Sequence, residues 1–280
     1  MKVLPFKIPK PGKEALVYQE DREHFFYDKL HEHEEIQISY IVKGSGSLIL
    51  GDTINEYQEN DILIIGEHIP HVFRSDRNTD DLSIMYTLFF TKNSFGNEFF
   101  KLTDLSEIDS FFDQSEYGIK VTSYKNKLLK KFNKLKHQNR IERIANLLQI
   151  LEIILRAEKK PLSSFVYHKK YTEVEGKRMS DVFQYTLDHF KENITLETIA
   201  EKANMSKNAF CRYFKKRTNK TFLQFLIELR IEYACKLLYK EKELPVAEVS
   251  ERCGFQNIAN FNRKFKEIKA MTPTQFRLSM

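Results

Sequence analysis

The sequence predicts an α+β protein of two domains: an N-terminal β-barrel that continues into a pair of helices, and a C-terminal all-α unit built as a double helix-turn-helix. Three observations carry this. Between Leu196 and Phe276 one helical pattern is written twice. From Leu30 to about Phe90, short alternating apolar runs are divided by turn signals, and from Ser106 the apolar spacing becomes helical. From Lys177 onward there are 20 Lys and Arg against 12 Asp and Glu, a net of +8, whereas the preceding residues sum to −2. Positive charge gathered in one portion suits a domain that faces a polyanion.

The opening arm is mixed and punctuated by proline, with a strand expected at Ala15 to Tyr18. Its start, MKVLPFKIPKPGKE, has no apolar core long enough for a signal sequence, and no later run approaches a membrane span. Three cysteines, Cys211, Cys235 and Cys253, are too few and wrongly spaced for a disulfide framework or a zinc knuckle. A cytoplasmic protein without cofactor, not engaged with membrane, is the expectation.

The runs QISYIV, SLIL, DILIIG and LSIMYTLFF, separated by GSG, GDT, END and EHIPH, predict a small antiparallel barrel or sandwich. Within it lie His31-Glu-His33, then Gln37, and later His71 behind Pro70. Histidines two apart on a strand face one side, and a third imidazole from another strand would complete a metal site.

Next come SEIDSFFDQ, TSYKNKLLKKFNKLKHQ and RIERIANLLQILEIILRAEK, all helical in period. In the last, Ile144, Leu147, Leu148, Leu151 and Leu155 form an apolar stripe wider than packing on one barrel requires. Dimerisation through this pair of helices is the expectation, with packing inside the domain as the alternative. Lys159 to Met179 loses periodicity and collects Pro, Ser, Gly and charge, as a linker does. The expected domains are therefore 1–160 and 179–280, joined by 161–178.

In the repeat, Ile199, Ala203, Asn204 and Met205 align with Val249, Cys253, Gly254 and Phe255, and after one inserted residue Phe210, Arg212 and Phe214 align with Phe261, Arg263 and Phe265. Asn204 and Gly254 are residue types that accept the left-handed backbone of a sharp corner. Ser206 and Asn257 are good N-caps for the helix that follows each corner. Its outward face should carry Lys207, Asn208, Cys211, Arg212 and Lys215 in one copy, and Asn260, Asn262, Arg263 and Lys266 in the other. Arg toward guanine, Asn toward adenine and Lys toward phosphate would read double-stranded DNA in a major groove. Between the copies, TFLQFLIELRIEYACKLLYK opens with a capping box at Thr221 and Gln224, and a second box, Thr272 with Gln275, opens the closing helix.

Asp181 to Arg277 resembles the DNA-binding domain of the AraC family of transcriptional regulators. The resemblance implies that the second helix of each unit enters successive major grooves, with Asn208, Cys211 and Arg212 in one and Ile258, Asn260, Asn262 and Arg263 in the other at contacting positions. Two departures stand out. Ala270 occupies a position where glycine is usual, and Phe222 replaces an expected proline.

The HxH motif and the later histidine are similar to the cupin fold, whose glutamate position holds Gln37 here. A neutral amide ligates less strongly than a carboxylate, which argues against a tight catalytic metal and against an enzyme. The resemblance implies instead the cupin-like sensor domain common in AraC-like regulators. His31, His33, Gln37 and His71 would line its mouth, with Tyr40 and Tyr86 as further contacts to a small-molecule effector. A pocket without metal is the preferred reading, and a metal-binding pocket or histidines that only hydrogen-bond within the fold are the alternatives. A DNA-binding regulator whose effector alters promoter affinity or contact with RNA polymerase, and a homodimeric state, complete what the resemblance implies.

Overall fold

The computed structural model describes residues 14–76, 82–164 and 173–279, and the chain divides into two compact units after Gly176. The expectation drawn from residues 1–13 lies outside the described residues.

The first unit contains β1 (Val17–Glu23), β2 (Ile36–Lys43), β3 (Gly46–Leu50), β4 (Thr53–Tyr57), β5 (Ile62–Ile65), β6 (His71–Ser75) and β7 (Ser83–Phe90). There follow α1 (Asp109–Ser115), β8 (Ile119–Val121), α2 (Lys125–Leu135), α3 (Arg140–Arg156) and β9 (Lys159–Pro161). Among the described residues the strands form a sheet of order β1-β7-β2-β5-β8-β9 and a second of order β4-β3-β6. Their facing sides share a core of Leu48, Leu50 and Phe73 from the smaller sheet with Ile41, Leu63, Ile65 and Met85 from the larger. The four apolar runs become β2, β3, β5 and β7. The short strands β4 and β6, TINEY and HVFRS, carry too little alternation to stand out.

The outer face of the larger sheet is apolar as well. Ile36, Ile38, Tyr40, Ile62, Ile64, Leu88 and Phe90 share one core with residues of α1, α2 and α3. This is why β2 and β5 read as nearly continuous apolar runs: both of their faces are covered.

Helix α3 starts at a capping box between Asn139 and Glu142, which satisfies two backbone donors at its first turn. Leu147, Ile150, Leu151 and Ile154 then lie at helical spacing and are buried in that shared core. This corrects part of the expected dimer stripe. Leu147 and Leu151 are wholly enclosed by their own domain and offer no surface to a second chain. Ile144, Leu148 and Leu155 are half-buried and in line with exposed Ile141, with Leu148 and Leu155 packed at the edge of that same core.

The expected linker is also shorter at both ends. The three residues of β9 pair with β8, Leu162 is buried between the sheets, and the Ser163 hydroxyl donates to Asp52 Oδ1 at 2.8 Å. Such a short pairing is invisible to a periodicity reading, which needs four or more residues to show alternation. At the other end, α4 (Glu173–His189) has begun before Met179.

The second unit continues with α5 (Leu196–Lys202), α6 (Lys207–Thr218), α7 (Phe222–Lys240), α8 (Val246–Arg252), α9 (Ile258–Lys269) and α10 (Pro273–Leu278). The N-terminal half of α7 packs Phe222 and Phe225 against Phe210 and Phe214 of α6. Its C-terminal half packs Ile231, Ala234 and Leu238 in one cluster with Val249, Phe255, Phe261 and Phe265. One helix thus carries both repeats. Phe222 is itself a core residue, so the proline it replaces is compensated by buried area.

Helices α6 and α9 end on left-handed residues, Asn219 at φ 56° and Ala270 at φ 59°. Asparagine tolerates this conformation and glycine prefers it, whereas alanine brings its Cβ against the backbone at a cost of roughly 1 kcal/mol. The substitution Ala270→Gly should therefore stabilise the second unit by about 1 kcal/mol, read as a raised unfolding midpoint of the full chain. An unchanged or lowered midpoint would show that the strain is relieved elsewhere.

Candidate nucleic-acid interface and histidine cluster

The two corners repeat bond for bond. Ala203 N–H donates to Ile199 O and Cys253 N–H to Val249 O, both at 3.1 Å. Asn204 N–H donates to Glu201 O at 2.9 Å and Gly254 N–H to Glu251 O at 2.8 Å. Met205 N–H donates to Ala200 O at 2.9 Å and Phe255 N–H to Ser250 O at 3.0 Å. This bonding closes a helix through a left-handed residue, and Asn204 and Gly254 have φ values of 51° and 82°. The next apolar side chain turns back into the core, and the chain leaves in a new direction.

Each new helix is then capped. Ser206 Oγ accepts from Ala209 N–H at 3.4 Å, and Asn257 Oδ1 accepts from Ala259 and Asn260 N–H at 2.8 and 3.1 Å. Beyond the caps, Lys207, Asn208, Arg212 and Lys215 are exposed and Cys211 is half-buried. In the second copy Ile258, Asn260, Asn262, Arg263 and Lys266 are all exposed. Neither arginine is packed inside the unit, and the buried side of each helix is the expected phenylalanine pair.

Two acidic residues were not singled out by the sequence pattern. Glu267 Oε1 lies 2.6 Å from Arg263, whose other terminal nitrogen donates to Asn260 Oδ1 at 2.8 Å. Glu197 binds Lys207 Nζ at 2.6 Å. Spacing along the helix could have found Glu267, since i to i+4 pairs of opposite charge meet on a helix surface. Glu197 is brought to Lys207 only by the corner. The three cysteines are free thiols, and burial raises the Cys253 thiol to about 12, which leaves it protonated and inert.

In the first unit the structure brings His31, His33 and His71 together. One ring nitrogen of each lies within 4.8 Å of the other two. A backbone bridge between His31 and His71, with N–H to O distances of 3.1 and 2.9 Å, sets them side by side. Each Nδ1 meets a backbone carbonyl: Lys29 O at 2.8 Å, Glu35 O at 2.7 Å and Ile69 O at 2.8 Å respectively. A carbonyl can only accept, so each Nδ1 carries the proton, and in neutral His31 and His71 rings the lone pair is left on Nε2. Burial lowers all three rings from the ordinary histidine range, to about 4 for His31 and well below it for His71, which favours the neutral form.

Gln37 joins them. Its Oε1 lies 3.1 Å from His33 Nε2, and its amide nitrogen donates to Ser39 Oγ at 2.8 Å, which in turn meets Thr87 Oγ1 at 3.0 Å. Ser39 and Thr87 are fully buried polar residues that the sequence reading passed over, although the two-residue period from Gln37 points to Ser39.

Tyr40 and Tyr86 do not join the cluster, which corrects that expectation. Tyr40 sits three residues beyond Gln37 on the same strand, and a strand alternates its side chains between faces. Tyr40 therefore points to the helical side, with its ring 5.8 Å from Phe132 and its hydroxyl donating to Asn60 at 2.7 Å. Tyr86, paired with Tyr40 across the sheet, follows it.

The chain matches the model for an AraC-like ligand binding domain over residues 11–89 and that for a helix-turn-helix domain over residues 199–279. The Bacillus subtilis HTH-type transcriptional regulator YdeC is 28% identical over 262 residues, covering 90% of this chain and 86% of that protein. The MmsAB operon regulatory protein of Pseudomonas aeruginosa is 32% identical over 93 residues, 33% of this chain and 30% of that protein. A Staphylococcus aureus HTH-type regulator is 21% identical over 248 residues. The alignment spans 86% of this chain but only 31% of that protein. Among solved structures, the DNA-binding domain of AdpA with its target DNA is 31% identical over 36% of this chain and 91% of that one, at a TM-score of 0.35. ToxT of Vibrio cholerae spans 95% of this chain and 99% of its own at 12% identity and a TM-score of 0.37. No helix among the described residues is long and apolar enough to cross a membrane. With a ligand-binding domain ahead of two capped helix-turn-helix units, the chain belongs to the AraC family of DNA-binding transcriptional regulators.

Proposed function

We propose that α6 and α9 enter successive major grooves of one duplex, and that an effector bound in the N-terminal barrel alters how strongly they do so. The observation that carries this is the repeated corner, which delivers two capped, cationic helices to a single supporting rod. The 19 residues of α7 extend about 29 Å at 1.5 Å per residue, near the ~34 Å between grooves on one side of B-DNA. Lys207, Asn208, Cys211, Arg212 and Lys215 form one contact set, and Ile258, Asn260, Asn262, Arg263 and Lys266 the other. The barrel's ligand site is centred on His31, His33, Gln37 and His71. The regulator acts in the cytoplasm as a homodimer and passes its signal to RNA polymerase, as the family resemblance implies. Its dimer contact is the line Ile141, Ile144, Leu148 and Leu155 of α3.

Replacing Arg212 or Arg263 with Ala should weaken binding to the cognate promoter by about 1 to 3 kcal/mol and relax preference at one base position. Fluorescence anisotropy against single-base variants of the site measures both. Equal loss on every sequence would make that arginine a phosphate contact, and binding that does not fall steeply with salt would refute the DNA reading. The effector half is tested by titrating candidate small molecules into the same assay.

A further inference from the structure

We propose that α2 of the first unit carries a further contact to DNA, in which the lysines of its outward face bind the phosphate backbone of the duplex flanking the site read by α6 and α9. The proposal rests on DNA binding by the second unit and adds to it a surface that strengthens the grip without reading bases.

Charge is spread unevenly along the first unit. Between Glu116 and Glu142 the sequence holds seven lysines and one arginine and no acidic residue, whereas the other residues before Lys177 carry 17 Lys and Arg against 27 Asp and Glu. The fold pairs part of this run. Lys120 and Lys125 share the buried carboxylate of Asp61 at 2.5 and 2.9 Å, Lys136 meets Glu20 at 3.1 Å, and Arg140 meets Glu14 at 3.0 Å. Lys131 donates to Gln149 Oε1 at 2.6 Å. Lys127, Lys130 and Lys134 are left exposed, and none of them meets an acidic group among the described residues. Spaced by three and four, they line one face of α2, turned away from the side on which Leu128, Phe132 and Leu135 are buried.

This arrangement opposes the local electrostatics twice. Like charges three and four residues apart on a helix repel. Lys127 also stands in the first turn, where unpaired N–H groups favour an anion and no acidic residue is present. Exposed cations on other helices are matched within one turn, as Arg156 is by Glu152, Lys177 by Asp181 and Arg252 by Glu248. A face that keeps its repulsion is complementary to an anion supplied from outside. Lysine is depleted from protein–protein interfaces, and the apolar side of α2 is already packed in its own domain, so it has nothing to lay into a lipid surface. Phosphate remains, and exposed Asn126 and Asn133 add amide donors of the kind that also reach phosphate oxygens. Because the second unit holds the duplex, flanking phosphates are presented to the same chain at high effective concentration, and a contact too weak to act alone adds to affinity.

The test compares the full chain with a variant carrying Lys127→Gln, Lys130→Gln and Lys134→Gln. Both are titrated onto two duplexes that bear one site selected from random sequence: a ~20 bp duplex, the two turns covered by α6 and α9, and the same site extended to ~60 bp. Three phosphate contacts at about 0.9 each should make the log–log salt dependence on the long duplex steeper by about 2.7 for the wild type. Between about 50 and 200 mM salt the wild type should then lose roughly 40-fold more affinity than the variant. On the short duplex the two chains should behave alike, and a variant with arginine at all three positions should restore the steep dependence. The exposed positions leave the core of α2 untouched, so the unfolding midpoint should not fall. Equal salt dependence on the long duplex, an equal change on both duplexes, or failure of arginine to restore it would each overturn the proposal. A shift of the glutamine variant from dimer to monomer would also overturn it, by marking the face as a contact between protomers. Failure of the wild type to bind either duplex is a different result, which refutes the DNA reading itself.

Discussion

The substitution Gly254→Val is expected to abolish binding by the second reading head while the first remains folded. Two costs coincide at this position. At φ 82° a β-branched residue is strained by about 1–3 kcal/mol. In addition, a Cβ built on Gly254 would stand 2.6 Å from the carbonyl oxygen of Lys191 and 2.9 Å from its carbon. Backbone atoms cannot rotate out of the way as a long side chain can, so the corner must open and the closure by Phe255 N–H to Ser250 O is lost. Phe255 belongs to the cluster that seats α8 and α9 on α7, so the damage spreads to the whole second unit. A footprint should shrink to the half contacted by α6, with promoter affinity falling by more than the ~1–3 kcal/mol of a single base contact. The matching change in the first copy, Asn204→Ala, should be milder at about 1 kcal/mol, because it carries the φ strain without a branched side chain. A full footprint with Gly254→Val would refute the corner assignment.

How legible these features were in the sequence depends on the range of the interaction that determines each. The corners, caps and capping boxes were readable because they are set within six residues: Asn204 and Gly254 announce a left-handed bend, and Thr221 with Gln224 closes on itself. The outward cations were readable because helical period alone sorts them from Phe210, Phe214, Phe261 and Phe265. Tyr40 was misplaced although parity along β2 already opposes it to Gln37, so that error lay in setting aside the two-residue period. Other features were not available locally. Nothing near Lys159 shows that it will pair with β8, and nothing near Lys207 shows that Glu197 will reach it across the corner. The convergence of His31 and His71 depends on a bridge between residues 40 apart in the chain, and their Nδ1 partners are carbonyls, which every residue has. Chemistry at the cluster was therefore suggested by composition, and only the fold supplies the tautomers.

Helix α3 makes the sharpest distinction between burial that builds a domain and burial that joins two. The change Leu151→Glu, which sequence reasoning alone would choose as a dimer breaker, is expected to unfold the barrel unit instead. Leu151 has no exposed surface and lies in the core shared by the larger sheet and its helices. The substitution removes an apolar side chain whose truncation alone costs about 2–5 kcal/mol and encloses a carboxylate within an apolar core. The total rivals the stability of a typical domain, so the thermal transition of the first unit should disappear or fall far below that of the wild-type chain. Leu148→Glu behaves differently because Leu148 is half-buried and in line with exposed Ile141. Its carboxylate can reach water, so although Leu148 also touches the edge of the core, the melting midpoint should fall far less than in Leu151→Glu while sedimentation shifts from dimer to monomer. A Leu148→Glu chain that stays dimeric would move the contact off α3. A Leu151→Glu chain that melts like the wild type would mean that α3 does not pack on its own sheet. Measuring both midpoint and mass on both variants is what tells these cases apart, since loss of dimer alone would follow from either a broken interface or a broken fold.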